Sequence, residues 1–412
     1  MQNSSISDAN GRRKVVATLS QKRHYGMDWL RIGAFGILIL YHVGMAFVSW
    51  PFEIKVTAPI DWIAIPMMFT NPWRLSLLFA ISGYASAAVL SRSTGYGPFL
   101  RGRFSRLGIP LLFGMAVVVT PQPWVALVTQ HGYANGFLHF LAFDYYRFQF
   151  IDGIAMPTWM HLWFVLYLLV YTLALAALLR LPASLRATIR ALVERPLAGR
   201  WLLPLPIAFV FVVREVLPPG WIDTHGLFDD WSAHATYLPL FLFGVLLRGS
   251  AGLQVAVGRQ WRYALAVGIV AYPAIAILEA AFPGATPLPD MVRLAYHGLR
   301  AVMLWTFVVG LIGMADRYWN HDHCWRTTLA EAVFPFYIIH QTIILVVGYW
   351  LLPTPTGPLI RFVILIAATA LGCWLFYAIG RRLTLLRPLI GLKRQSRRAS
   401  DTGKMPNSVS AS

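Results

Sequence analysis

The feature that most restricts how this chain can fold is a succession of apolar stretches, each about as long as a bilayer core is wide. About 20 apolar residues in helical form cross that core. Lipid offers nothing to unpaired backbone groups, so a spanning segment must satisfy its own. Ten stretches can be marked, at 28–50, 66–90, 107–127, 159–180, 202–218, 233–248, 262–282, 293–315, 331–352 and 359–382. They predict an all-α, polytopic integral membrane protein of about ten transmembrane helices. Composition agrees: 57% of the 412 residues are hydrophobic and 13% are charged, about half the charged share of a soluble domain. Pro110, Pro121 and Pro123 interrupt the third stretch, and prolines also shorten the fifth. Such breaks line protein or water, where the freed backbone groups find partners.

The net charge of +18 would suit a nucleic-acid binder, but its placement points elsewhere. Of the 35 Lys and Arg residues, 27 fall at alternate ends of the stretches, on the side of the N-terminus, and 5 on the other side. The positive-inside rule then predicts that both termini are cytoplasmic, and no nucleic-acid partner is expected. Residues 1–22 form a basic arm without the apolar region of a cleaved signal peptide. That arm and the basic, polar tail 387–412 are expected to be disordered, flanking a membrane domain at 23–386. The Lys/Arg cluster of the tail suits anionic lipid headgroups. ASLRATIRALVER (183–195) sets Leu185, Ile189, Leu192 and Val193 on one face and Arg186 and Arg190 on another, the pattern of an interfacial helix. Cys324 and Cys373 are too few for a disulfide framework and read as free thiols.

Polar residues inside the stretches are the candidates for chemistry, because an ionisable group in a span faces a cavity, a partner or a pathway. Arg31 and His42 stand eleven residues apart in the first stretch. That is close to three helical turns, so both share a face, roughly 16 Å apart along the axis. His42 suits a general base on a hydroxyl, or a nucleophile accepting an acyl group; a packing hydrogen bond between helices is the plainer reading. Asp28 lies about 21 Å from His42 along the helix and cannot orient it, so any carboxylate partner of His42 must come from another span. Asp28 can instead pair with Arg31 at i,i+3. Arg103 and Arg106 form R-x-x-R ahead of the third stretch, suited to phosphate or simply flanking charge. Arg74 lies within the second stretch, with Ser82 and Gly83 beyond it permitting close helix approach. His161, His234, His297 with Arg300, and Glu279 gather at external helix ends; singly each reads as an interfacial anchor, and together, with Trp159, Trp163 and Trp231, they would suit a sugar-binding mouth. His340 is a second mid-span imidazole, suited to catalysis but read more simply as a helix-to-helix hydrogen bond. HDHC (321–324) lacks a second ligand cluster, so no metal is expected.

In order along the chain stand DWLR, R-x10-H from Arg31 to His42, Arg74 ahead of FAISGY, R-x-x-R at Arg103 and Arg106 running into RLGIP, HLWFVLYLLVY and PFYIIHQTII. This sequence of motifs resembles the membrane-bound acyltransferase 3 family over residues 23–385, and its RLGIP and SGY wording is similar to a glucan-modifying branch. The resemblance implies transfer of an acyl group, acetyl or succinyl, from cytoplasmic acyl-CoA to a carbohydrate hydroxyl at the external face of a bacterial inner membrane. It implies His42 as the catalytic residue, Arg31 as its motif partner, and Arg103 and Arg106 on the donor side. With Asp28, Arg74 and His161, these form the expected substrate-binding set. Acyl-CoA would be a co-substrate, with no bound cofactor; the other partners would be the carbohydrate acceptor and membrane lipids. A carrier or scaffold for exported carbohydrate is the competing class.

Overall fold

Apolar residues too numerous for one face can be buried only by helices packed against other helices or against lipid, and the chain is built accordingly. The structure, a computed structural model, describes residues 24–221, 223–282 and 286–394. Among them are twelve helices of ten residues or more: α1 Tyr25–Met45, α2 Asp61–Leu90, α3 Tyr96–Phe113, α4 Pro121–Gln130, α5 Trp163–Leu178, α6 Ala183–Leu197, α7 Pro204–Val216, α8 Trp231–Gly249, α9 Ala251–Ala281, α10 Asp290–Tyr318, α11 Arg326–Leu351 and α12 Pro358–Arg382. Below, the near end of the bundle is where α1 begins and the far end is where it finishes. The expected arms at 1–22 and beyond 394 lie outside the described residues.

Six of the helices (α2, α5 and α9 to α12) are long and apolar enough to cross a membrane, or up to eight spans if each of two bent pairs counts as one. This is fewer than the ten stretches marked in the sequence. Asp28, Arg31 and His42 dilute the apolar character of α1, and α8 is a 19-residue helix containing His234 and Arg248. The pairs α3–α4 and α6–α7 bend by 44° and 96°. With 13 residues, α7 is about 20 Å long, short of the core thickness.

The bend in α3 follows its prolines. Its end unwinds into a wide turn at Gly114–Val118, and α4 restarts at Pro121. The Val118 carbonyl accepts a hydrogen bond from the Thr342 hydroxyl on α11, 2.8 Å away. A cross-chain hydroxyl thereby serves a carbonyl at the break.

Helices α2 and α8 cross at van der Waals limit. A Cβ on Gly83 would lie 1.8 Å from the Phe241 carbonyl oxygen, and one on Gly244 1.9 Å from that of Ala80. Backbone cannot yield as a side chain can, so a methyl group must part the helices. Gly244→Ala is expected to destabilise the protein by about 2 kcal/mol or more, lowering its detergent melting temperature. Gly258→Ala, with nothing within 4 Å of the added atom, should leave it unchanged; equal melting of the two variants would contradict this packing.

Two elements depart from the expected organisation. A short hairpin, β1 Phe150–Ile151 and β2 Ile154–Ala155, stands in the far-end loop, turned by Asp152 and Gly153 at positive φ, as tight hairpins require. The folded region also continues past 387, where the tail was expected to begin. Ile390 and Leu392 are buried against Ala332 and Tyr377, so apolar anchoring extends order by several residues. Cys324 and Cys373 are both free.

Candidate active site

The R-x10-H face of α1 turns inward, toward α11. His42 Nδ1 lies 2.8 Å from His340 Nε2, and the rings stack at 5.0 Å. The hydrogen positions follow from the acceptors. His340 Nδ1 is 2.7 Å from the Tyr337 carbonyl oxygen, which can only accept, so Nδ1 carries the proton of a neutral His340 ring. Its Nε2 then accepts, and His42 must donate from Nδ1. The outcome is a directed chain in which the lone pair of His42 sits on Nε2, with no hydrogen bond to a described residue. His42 retains accessible surface, whereas His340 is wholly buried. His42 does take a partner from another span, but it is an imidazole on α11 and not a carboxylate.

A second layer fixes His340. His161 Nε2 donates to the Tyr337 and Ile338 carbonyls, each 3.1 Å away, and its ring meets the His340 ring edge-on at 5.0 Å. Gln122 at the start of α4 donates from Nε2 to His161 Nδ1 at 3.2 Å and to the Thr342 hydroxyl at 2.7 Å. Both His161 nitrogens are therefore occupied by protein. His161, expected at a sugar-binding mouth, stands behind the dyad with neither nitrogen left for substrate.

Arg74 is 7% exposed, and the Tyr41 ring beneath it adjoins His42, with ring centres 6.3 Å apart. Its guanidinium carbon sits 3.4 Å over the centre of the Tyr41 ring, whose hydroxyl accepts from Asn71 at 3.0 Å. Its Nε and Nη1 are buried without a hydrogen-bond partner among the described residues. Cation–π contact offsets part of the cost of burying this charge, but two donors remain aimed at nothing, an arrangement that suits a negatively charged group.

The other expected residues occupy the near end. Arg31 Nη2 donates to the Ala330 carbonyl at 3.0 Å, and Asp28 forms an ion pair with Arg326 at 2.8 Å. Both tie α1 to the start of α11. Arg103 on α3 is half-buried with Nε unpartnered among the described residues, and Arg106 is exposed.

At the far end the expected polar cluster divides in two. His225 stacks on Trp163 at 4.4 Å. Its backbone N–H donates to Asp230, and Trp159 donates to its carbonyl. Burial pushes the His225 imidazole below its ordinary pKa. Burial, and then the Asp223 carboxylate, push Asp230 above the usual carboxylate range. His234 stays with the first group, bonded to the Tyr171 hydroxyl at 3.1 Å and the Leu227 carbonyl at 2.9 Å. His297, Arg300 and Glu279 form a separate group on α7, α9 and α10, where Glu215 pairs with Arg293 at 2.6 Å and with His297, and Tyr296 meets Glu279 and Arg300. The helix-to-helix hydrogen bond expected of His340 is present, and its partner is His42 itself. Sequence reasoning missed Gln122, Tyr41 and His225, which no local pattern marks.

Comparison with known proteins gives a consistent result. The family described as an acyltransferase domain matches residues 24–378. Glucans biosynthesis protein C of Shigella dysenteriae serotype 1 (strain Sd197) is 27% identical over 101 residues, 24% of this chain and 26% of that protein. The same-named protein of Escherichia coli O6:K15:H31 (strain 536 / UPEC) is 25% identical over 126 residues, 31% of this chain and 32% of its own length. That of Salmonella typhi is 24% identical over 107 residues, covering 26% and 28% respectively. The aligned stretches thus span about a quarter to a third of these relatives. No solved structure matches the chain.

Proposed function

The chain belongs to the acyltransferase 3 family, matched over residues 24–378, and from that premise we propose that it is a multi-pass membrane O-acyltransferase using acyl-CoA as donor and an envelope or exported carbohydrate as acceptor. The observation that carries this reading is the His42–His340 dyad, which leaves the His42 Nε2 lone pair with no hydrogen bond to a described residue. Names of the partial relatives favour a glucan as acceptor. We place the near end in the cytoplasm, from the distribution of basic residues, with about ten membrane crossings once α1 and α8 are counted and each bent pair crosses once. The membrane is the inner membrane of a bacterial envelope.

Coenzyme A is polyanionic and stays out of hydrocarbon, so its phosphates meet Arg103 and Arg106 while the pantetheine arm carries the thioester toward His42. The acceptor hydroxyl approaches from the far end, past Trp163 and His225. His42 Nε2 takes the hydroxyl proton as the oxygen attacks the thioester carbonyl carbon. The imidazolium so formed strengthens its Nδ1–H bond to His340. The carbonyl oxygen becomes an oxyanion beside the unfilled donors of Arg74. The C–S bond then breaks, and the leaving thiolate recovers the proton from His42, restoring the neutral ring.

His340 acts through His42 and is a positioning residue. His340→Phe removes the acceptor for Nδ1–H and should lower kcat about 10- to 100-fold, by analogy with the loss of hydrogen-bond partners that orient metal-bound imidazoles. His340→Gln, which restores an acceptor oxygen, should recover much of that rate; equal loss in both would reduce His340 to packing. Arg103→Ala with Arg106→Ala should raise the KM for acyl-CoA about tenfold or more while kcat changes little. Each guanidinium–phosphate contact is a charge-assisted bond, and an unchanged donor KM would leave the pair as flanking charge. The reading as a whole is tested by mass spectrometry of envelope glycans from cells with and without the protein: an added acyl mass that depends on it supports transfer, and identical glycans refute it.

A further inference from the structure

Away from the histidines, a cleft of about 900 Å³ opens between α5, α6, α7 and α8, at the large end of the range for ligand pockets. Its wall on α8 runs from Thr236 to Gly249, roughly 20 Å at helical rise. The wall is almost wholly apolar, and its few polar groups are already engaged. Thr236 accepts from Arg214 at 3.0 Å, and the Trp305 indole donates to the Leu202 carbonyl at 2.7 Å. Water has little to bind there.

Helix α6 closes the near end of the cleft, at 96° to α7. Its apolar face is turned into the space rather than onto protein. Ile189, Leu192 and Val193 line the cleft, yet remain 42%, 75% and 37% exposed. Arg186 and Arg190 stand on the same rim. Arg190 is committed to Glu194 at 2.7 Å and to the Gly249 carbonyl at 2.5 Å. Arg186 is not: its Nε is buried with no hydrogen-bond partner among the described residues.

We propose that this cleft is a binding site for an anionic phospholipid of the surrounding bilayer, with an acyl chain lying along α8 and the phosphate on Arg186. A long dry trough with a spare guanidinium at its mouth matches an amphiphile whose head is negative. The chain's own basic ends, 1–23 and 395–412, carry the same sign of charge as Arg186 and do not complement it. The bound chain supplies the apolar surface that α6 lacks, so the lipid holds α6 against α5 and α8.

The test is native mass spectrometry of the full chain, released from bilayers of equal parts phosphatidylglycerol and phosphatidylethanolamine and progressively stripped with detergent. The wild-type protein should keep phosphatidylglycerol after bulk lipid is gone. Arg186→Glu should lower the retained ratio of phosphatidylglycerol to phosphatidylethanolamine about fivefold or more, the effect of a single basic side chain at an anionic surface. Val245→Trp, which fills the trough from α8, should abolish retention of either lipid while the protein still melts cooperatively. An unchanged ratio in Arg186→Glu, or wild-type retention in folded Val245→Trp, would overturn the proposal. Retention of phosphatidylethanolamine alone by the wild-type protein would do the same.

Discussion

His42→Ala is expected to lower acyl transfer by about a thousandfold or more, within the range that a positioned general base contributes, while leaving the helix bundle intact. His42 is partly accessible, and its single described hydrogen bond goes to His340. Removing the ring therefore costs little packing and leaves one buried acceptor unsatisfied, a penalty of about 1–3 kcal/mol. Melting temperature and coenzyme A release should thus separate, the first shifting modestly and the second collapsing. Coenzyme A release at wild-type rate from a folded alanine variant would remove His42 from the chemistry. If His42 instead carried the acyl group itself, the wild-type protein given donor without acceptor would accumulate an acylated His42 peptide. The base mechanism predicts none.

Arg74→Met is expected to have the next largest effect, a fall of about 100- to 1000-fold in kcat with little change in the KM for donor. The reasoning starts from burial. A guanidinium 7% exposed with two unfilled donors is costly in the resting protein and most valuable when negative charge appears beside it. Loss of one preorganised oxyanion donor costs about that much in other acyl-transfer sites. Methionine matches the length of the side chain and removes the charge, so stability should hold or rise. Arg74→Lys should recover only part of the rate, because an ammonium offers no planar face to Tyr41 and a different donor geometry. A variant that weakens donor binding while keeping full kcat would make Arg74 a ground-state anchor instead.

Residues whose meaning is periodic were legible in the sequence. Arg31 and His42 share a helical face because eleven residues nearly complete three turns, and Gly83 marks a close crossing because nothing larger fits between touching backbones. The prolines at 110, 121 and 123 located the break between α3 and α4. What could not be read is which distant element fills each gap. His340 reaches His42 across 298 positions of sequence, and Thr342 reaches the broken end of α3 across 224. No local pattern specifies those meetings. Polar residues at helix ends were misleading for a related reason: His161 looked like part of a mouth by its place beside tryptophans, yet the bend in α3 brings Gln122 against it and closes it off. The α1 and α8 helices show the opposite tension. Their functional or interfacial polar residues lower the apolar content that identifies spans by composition.

The most direct test separates the two reactants across a membrane. Proteoliposomes containing the oriented protein would hold acyl-labelled acyl-CoA on the near-end side and the carbohydrate acceptor on the other. The account predicts label in ester linkage on the carbohydrate, with free coenzyme A left on the donor side and neither product formed by His42→Ala. Transfer that occurs only when both reactants share a compartment, or that survives loss of His42, would contradict it.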